Sequence, residues 1–182
     1  EVRNKFEIQL SSIDDGGDSL KRLEQAENEA RHTYTSTAKT LSDKRRAAAG
    51  KLDKAVSAEL EPLRLGKATF VTRIETLDEN AWGENGCDAV AFEVATNPGS
   101  TPGPINRISS GGEMARFMLA LKVVLAKADP VPTLIFDEVD ANIGGAVAAA
   151  VGERLGLLAE RFQVMVITHS PQVAARGSHH WR

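Results

Sequence analysis

With 182 residues, the chain is long enough for one domain with a substantial core plus an extension, and too short for two full-sized domains. Hydrophobic residues make up 42% of it and charged residues 26%, and no apolar run approaches the roughly 20 residues that cross a bilayer. The net charge of -3 gives no electrostatic argument for nucleic-acid binding. A single cysteine, Cys87, excludes an internal disulfide and fits a reducing cytoplasm.

The first predicted element is a long helix over about residues 18–63. It begins after the turn signal Asp14-Asp15-Gly16-Gly17, with Asp18 or Ser19 as the N-cap, and it ends at Pro62. Apolar or small residues recur along it at three- and four-residue spacing, and the stripe shifts by about one helical step midway. The stripe consists of Leu20, Leu23, Ala30, Tyr34, Thr37, Leu41 and Ala48, followed by Leu52, Val56, Leu60 and Leu63.

Two interpretations of this helix stay open. It is either one arm of an antiparallel coiled coil or an amphipathic helix that packs on its own domain. Its length favours the arm, because about 45 residues form a rod of ~70 Å, which is longer than a small domain is wide. The helix also carries basic residues that could touch DNA, although a solvated face is the favoured interpretation. These basic residues are Lys44, Arg45, Arg46, Lys51 and Lys54.

After Lys67 the periodicity changes to two, which predicts strands over residues 68–77 and 89–94, joined by a turn that contains Gly83, Asn85 and Gly86. A second pattern follows, in which helices alternate with short apolar strands. The predicted order is a helix over 113–127, a strand over 133–136, a helix over about 145–160 and a strand over 162–168. Such alternation is typical of a parallel sheet covered by helices. We therefore expect an arm over residues 1–66 and an α/β lobe over residues 67–182.

The helix after Gly111-Gly112 predicts an anion site. Its free backbone N–H groups and positive dipole end face the ligand, and the missing Cβ atoms let a phosphate approach closely. Ser109 and Ser110 add hydroxyl donors, and Glu113 in the first turn interacts favourably with the dipole.

Asp137 and Glu138 directly follow the strand over 133–136, so both carboxylates are predicted at the carboxyl edge of a parallel sheet, where open α/β sheets bind ligands. Asp137 would hold Mg²⁺, because this cation takes one or two protein carboxylates beside phosphate ligands. Glu138 would orient or deprotonate the attacking water. His169 ends the next strand and would donate a hydrogen bond to the terminal phosphate, while Asp140 would couple to a second subunit.

Together these motifs resemble the carboxyl-terminal lobe of an ABC-type P-loop ATPase head. The signature motif is Ser109 to Glu113, the Walker B motif is Thr133 to Glu138, the D-loop surrounds Asp140, and His169 is the switch histidine. A closer resemblance, to the RecN family of bacterial DNA-repair ATPases related to the structural-maintenance-of-chromosomes proteins, covers essentially the whole chain. It rests on the runs Asn97–Gly99, Ile108–Arg116, Ile135–Asp140 and Thr168–Ala174.

The resemblance implies that ATP and Mg²⁺ are the cofactors. ATP would lie between the Walker motifs of one head and the signature residues Ser109 to Glu113 of the opposing head, so hydrolysis would require self-association. No G-x-x-x-x-G-K-[ST] motif occurs in this sequence. In the family, the coiled coil separates the two lobes of a head, so the missing N-terminal lobe of the same protein is an expected partner. We therefore expect this chain to be a fragment that lacks Walker A and is inactive alone.

The function that the resemblance implies is that of an ATP-hydrolysing protein of DNA double-strand-break repair and recombination. It would bind DNA, at ends or single-stranded regions, and would lie in the bacterial cytoplasm at the nucleoid, with no membrane partner. Two alternatives stay open. One is the ATPase subunit of an ABC transporter, and the other is a non-catalytic coiled-coil structural module.

Overall fold

The computed structural model describes the backbone of residues 2–108, 110–126, 128 and 131–181, and it describes side chains from residue 17 onward apart from Arg107. The chain divides into two compact units. One unit consists of Glu1–Arg45 and Thr76–Asp88, and the other of Arg46–Glu75 and Ala89–Arg182.

The first helix, α1, runs over Val2–Leu60. The predicted start at Asp18 or Ser19 is wrong, because α1 continues through Gly16-Gly17. A glycine costs about 1 kcal/mol in a helix interior. This cost does not have to end a helix, because every further helical residue adds a backbone hydrogen bond, so the local turn signal does not prevail. At its other end α1 passes into a π-helical turn, Glu61–Leu65, in which Arg64 adopts a left-handed conformation with φ 61°.

In the first unit, residues 77–88 contact α1 through polar and aromatic pairs. The rings of Tyr34 and Trp82 stack at 5.6 Å between centroids, and the Tyr34 hydroxyl donates to the carbonyl oxygen of Gly83 at 3.0 Å. The carboxylate of Asp88, whose side chain is fully buried, accepts a hydrogen bond from the Ser42 hydroxyl and forms an ion pair with Arg45 at 3.4 Å. These contacts join the segment over residues 77–88 to α1 within the unit.

A three-stranded sheet has the order β1-β2-β3, with β1 at Thr69–Thr76, β2 at Asp88–Ala95 and β3 at Gly103–Pro104. All of its residues except Thr76 and Asp88 belong to the second unit. The two predicted strands correspond to β1 and β2. The third strand, β3, pairs antiparallel with β2 and is too short to show a periodicity in sequence. In the turn region Gly86 has φ 87°, a conformation that glycine adopts readily.

The same unit contains the predicted alternation of helices and parallel strands. Its helices are α2 at Gly111–Leu125, α3 at Gly145–Ala159 and α4 at Pro171–Ala174. Strand β4, Thr133–Phe136, pairs parallel with β5, Gln163–Val166, in the register Thr133↔Gln163 to Phe136↔Val166. The predicted α/β class is confirmed. Strand β5 is shorter than the predicted 162–168, because Phe162 is buried in the core before the strand and Thr168 belongs to the loop after it.

The core of this unit lies between the helices and one face of the β4–β5 pair. Phe117 of α2 and Val151 of α3 are completely buried, and Leu134 and Phe136 of β4 join the same apolar cluster. The end of α1 and the π-helical turn also contribute fully buried residues, namely Val56, Leu60 and Leu63. Among the residues whose structure is described, no helix has the length and apolar character needed to cross a bilayer.

Candidate active site

The parallel register of β4 and β5 brings two loops to the same edge of the sheet. Phe136 and Val166 are paired at the ends of their strands, and the backbone N–H of Ile167 donates to the carbonyl oxygen of Phe136 at 2.9 Å. Asp137 and Glu138 follow β4, and His169 follows β5, each of them exposed. The convergence of two carboxylates and an imidazole at this edge is the geometry that the sequence predicts, although their roles stay predictions.

The loop after β4 turns sharply at Glu138. This residue has φ 56°, in the left-handed region that costs a residue with a side chain on the order of 1 kcal/mol. The turn is closed by a hydrogen bond of 3.0 Å from the N–H of Ala141 to the carbonyl oxygen of Glu138. The surrounding contacts therefore hold Glu138 in a conformation that its own backbone disfavours.

The start of α2 lies beside this turn. Ser110 is the N-cap, and its hydroxyl oxygen accepts a hydrogen bond from the N–H of Glu113 at 3.4 Å. A Cβ atom on Gly111 would lie 2.7 Å from Oε2 of Glu138, so the glycine leaves room for a carboxylate oxygen at the positive end of the helix. Ser109, the first residue of the predicted signature, lies outside the described residues.

The contact between Glu138 and the start of α2 is not predicted by any single motif. The motifs assign the glycines to a neighbouring subunit's phosphate and Glu138 to the nucleotide of its own chain. In the structure both belong to one cluster, because the N-terminus of α2 lies beside the loop that follows the carboxyl end of β4.

Asp140 is buried, with 2% of its surface exposed. Its Oδ2 atom accepts hydrogen bonds from the Thr168 hydroxyl at 2.5 Å and from the backbone N–H of Ser170 at 3.2 Å. Asp140 is therefore bound within its own chain, to the two residues that flank His169. The sequence signal for these partners is the run Thr168-His169-Ser170, in which hydrogen-bonding residues bracket the histidine.

Arg116 is a further polar residue of the site that no motif predicts. It is 6% exposed, its Nη1 donates to the carbonyl oxygen of Ala141 at 3.2 Å, and its Nε has no hydrogen-bond partner within the described part of the chain. Desolvation lowers the pKa of the Arg116 guanidinium, and the nearby charge of Arg64 adds to this, whereas Glu113 opposes it. The only sequence signal is a charged residue inside the apolar run of α2.

The described residues contain no group of three or more His, Cys, Asp or Glu side chains that could hold a metal by themselves. A magnesium ion at this edge would take Asp137 and complete its coordination with phosphate oxygens and water, which is how the hard cation is commonly bound. The N-terminal end of α2 already accommodates one carboxylate oxygen, Oε2 of Glu138, beside Gly111. The residues present therefore fit a magnesium-bound phosphate group.

No protein-family model matches the chain. The chain is 48% identical over 147 residues to the DNA repair protein RecN of Rickettsia bellii (strain RML369-C), which covers 81% of this chain and 26% of the relative. It is 36% identical over 180 residues to the DNA repair protein RecN of Xylella fastidiosa (strain Temecula1 / ATCC 700964), covering 99% of this chain and 32% of the relative. The chain thus spans about a quarter to a third of the length of these curated relatives.

Among solved structures, the Smc head domain with a coiled coil and joint derived from Pyrococcus yayanosii is similar in fold. The TM-score is 0.51 at 22% sequence identity, and the match covers 74% of this chain and 24% of that one. The predicted fold, a lobe of an ABC-type ATPase head preceded by a long helix, is confirmed. Sequence identity to the repair proteins along nearly the whole chain, together with this fold, confirms the predicted resemblance of the chain to part of the RecN proteins.

Proposed function

We propose that the complete protein is an ATPase of DNA repair and that this chain supplies one half of its hydrolysis site. The observation that carries the proposal is the parallel register of β4 and β5, which sets Asp137, Glu138 and His169 at one edge of the sheet beside the start of α2. The names of the relatives supply the biological context.

Each residue at this edge has a chemical task. Asp137 would bind Mg²⁺, and Glu138 would align and deprotonate the attacking water, because phosphoryl transfer depends on positioning and charge stabilisation. His169 would donate a hydrogen bond to the terminal phosphate. Bound ATP would supply the phosphoryl group, and Mg²⁺ would neutralise part of the negative charge of the phosphates.

The signature residues would act on a second molecule. The hydroxyl groups of Ser109 and Ser110 and the backbone N–H groups of Gly111, Gly112 and Glu113 would donate to a phosphate that a neighbouring head brings to them. Head engagement would then depend on bound ATP, and hydrolysis would require two heads. The D-loop residue Asp140 belongs to this same interface in the family resemblance.

The other half of the site would come from the N-terminal lobe of the same protein, which carries the phosphate-binding loop absent from this sequence. An open apolar face supports this. Ile135 in β4 is 67% exposed and Ile167 beyond β5 is 62% exposed, on the side of the strand pair away from the core. A face of this kind requires a covering element in the complete protein.

DNA is the proposed substrate of the assembled protein, bound at ends or single-stranded regions, and the proposed location is the bacterial cytoplasm at the nucleoid. The repair proteins that this chain matches support this over a role in transport. The long helix α1 would connect head engagement to DNA held between subunits.

The experiment that tests the proposal measures ATP turnover in the complete protein with Glu138→Gln. Turnover is expected to fall by roughly 100-fold to 10,000-fold while ATP binding persists, because the amide cannot accept the proton of the attacking water. Glu160→Gln, an exposed residue at the end of α3, is the matched control and should turn over ATP like the parent. Unchanged turnover in Glu138→Gln would remove Glu138 from the reaction.

A further inference from the structure

We infer that Asp140 is a positioning residue that fixes the His169 loop within its own chain. The inference rests on the proposed function and assigns Asp140 a role different from contact with a second subunit. The observations that carry it are the hydrogen bonds of Asp140 and its burial.

One carboxylate oxygen of Asp140 holds both neighbours of the histidine. Oδ2 accepts from the Thr168 hydroxyl at 2.5 Å and from the Ser170 N–H at 3.2 Å, and the same N–H lies 3.0 Å from the Thr168 hydroxyl oxygen. The backbone of the loop is thus tied on each side of His169. The His169 side chain is exposed and accessible to a phosphate.

The surroundings of these bonds make them strong. Asp140 is 2% exposed and Ser170 is 7% exposed, and Val139 beside them is completely buried. Hydrogen bonds to a charged group are stronger in such a low-dielectric environment than in water, and leaving the carboxylate without partners there would be costly. The loop therefore has one strongly preferred arrangement.

The same residue is tied to the turn that carries Glu138. The N–H of Ala141 donates to the carbonyl oxygen of Glu138 at 3.0 Å, and the N–H of Ile143 donates to the carbonyl oxygen of Asp140 at 3.3 Å. Asp140 therefore connects the loop after β4 to the loop after β5. It sets the separation between the carboxylate that activates water and the imidazole that contacts the phosphate, and misplacement by about 1 Å can reduce a rate by roughly 100-fold.

The test uses four variants of the complete protein: Asp140→Ala, Thr168→Val, their double mutant and Asp140→Asn. Asp140→Ala and Thr168→Val should each lower kcat by roughly 10-fold to 100-fold, with KM for ATP changed by less than about threefold. The double mutant should be no slower than Asp140→Ala, because Asp140→Ala already removes the hydrogen bond that Thr168→Val removes. Asp140→Asn keeps an accepting oxygen for both bonds and should retain most of kcat.

Two threonine variants serve as controls. Thr168→Ser keeps the hydroxyl and should restore turnover. Thr40→Val removes an exposed hydroxyl on α1, where Thr40 donates to the carbonyl oxygen of Ser36 at 3.0 Å, and should leave kcat unchanged. Thermal unfolding of each variant checks that the protein is folded.

Hydrogen exchange over residues 166–174 provides a readout that does not depend on turnover. Exchange should become faster in Thr168→Val and stay unchanged in Thr40→Val, because only the former loosens the loop. The inference is overturned if exchange is unchanged, if the effects of Asp140→Ala and Thr168→Val on kcat add, or if only Asp140→Ala slows turnover. The proposed function fails separately, if Glu138→Gln and His169→Ala leave turnover intact.

Discussion

At the scale of single residues, the first two residues of α2, Gly111 and Gly112, differ in how much room they leave for a side chain. A Cβ on Gly111 would meet Oε2 of Glu138, the far end of a flexible side chain that can move aside. A Cβ on Gly112, which is buried, would lie 3.0 Å from the Cβ of Ala141 and 3.3 Å from its carbonyl oxygen. The loop after β4 therefore meets Gly111 with a flexible side chain and Gly112 with the Cβ and backbone of Ala141.

This difference predicts the stability of two alanine variants. Gly112→Ala should lower the free energy of local unfolding of α2 by about 1–3 kcal/mol relative to Gly111→Ala. The reason is that the new Cβ would press against Ala141, whose Cβ and backbone cannot easily move aside. Both substitutions gain the same helix propensity, so the comparison isolates the contact. Native-state hydrogen exchange of the α2 amides measures it. Equal values for the two variants would contradict the packing described here.

At the scale of elements, α1 is joined to the rest of the second unit by specific polar contacts as well as by its buried end. Asp53 of α1 accepts hydrogen bonds at its Oδ1 from the N–H of Thr72 at 2.9 Å and from the Thr72 hydroxyl at 2.7 Å. Farther along, the Glu59 carboxylate pairs with Arg154 of α3 at 3.0 Å. The helix end is thus fixed to both β1 and α3.

Removal of the Asp53 carboxylate should therefore destabilise the unit. Asp53→Ala is expected to cost about 1–2 kcal/mol of unfolding free energy, because two hydrogen bonds to a partly buried carboxylate are lost. Lys54→Ala, at the next and exposed position of the same helix, should stay within about 0.5 kcal/mol of the parent. Denaturant unfolding of the complete protein gives both values, and equal values for the two variants would contradict a stabilising role for Asp53.

The predicted apolar stripe of α1 divides into two kinds of surface. Leu20 and Leu23 are 59% and 65% exposed, whereas Val56 and Leu60 are completely buried in the core of the second unit. The structure therefore supports packing on the chain's own domain for the end of α1, and it leaves the early part exposed. The end of α1 packs on its own domain, and the early part presents an apolar stripe of the kind that an antiparallel partner helix would cover.

At the scale of the whole molecule, the proposed nucleotide site has one edge in this chain, and the phosphate-binding loop that the site also needs is absent from this sequence. The sequence has no G-x-x-x-x-G-K-[ST] motif, and the outer face of the β4–β5 pair presents Ile135 and Ile167 to solvent. The residues at this edge offer two carboxylates and an imidazole. They do not include a phosphate-binding loop of backbone N–H groups followed by a lysine.

The 182-residue chain by itself should therefore bind Mg-ATP more weakly than about 1 mM. Isothermal titration calorimetry of this chain, with the complete protein under the same conditions as the control, measures the difference. Micromolar binding by the chain alone would show that its own residues suffice, and would contradict the division of the site between two lobes.

The sequence by itself determined the α/β class, the main helices and strands of the second unit, and the sheet edge at which Asp137, Glu138 and His169 lie. It could do so because apolar periodicity and the position of a residue at a strand end are local properties of the chain. The predicted start of α1 is wrong for the same reason. A turn signal is a local property, and it takes no account of the helix that continues on both sides of it.

Only the tertiary structure decided which groups meet at that edge. The inward orientation of Asp140, its bonds to Thr168 and Ser170, and the approach of Glu138 to Gly111 each join residues about 27 to 30 positions apart in sequence. Such contacts follow from strand register and from the direction of α2, and a linear pattern of residue types does not encode either distance or burial. The motifs predict the chemistry, and the packing determines which residues lie beside one another at that edge.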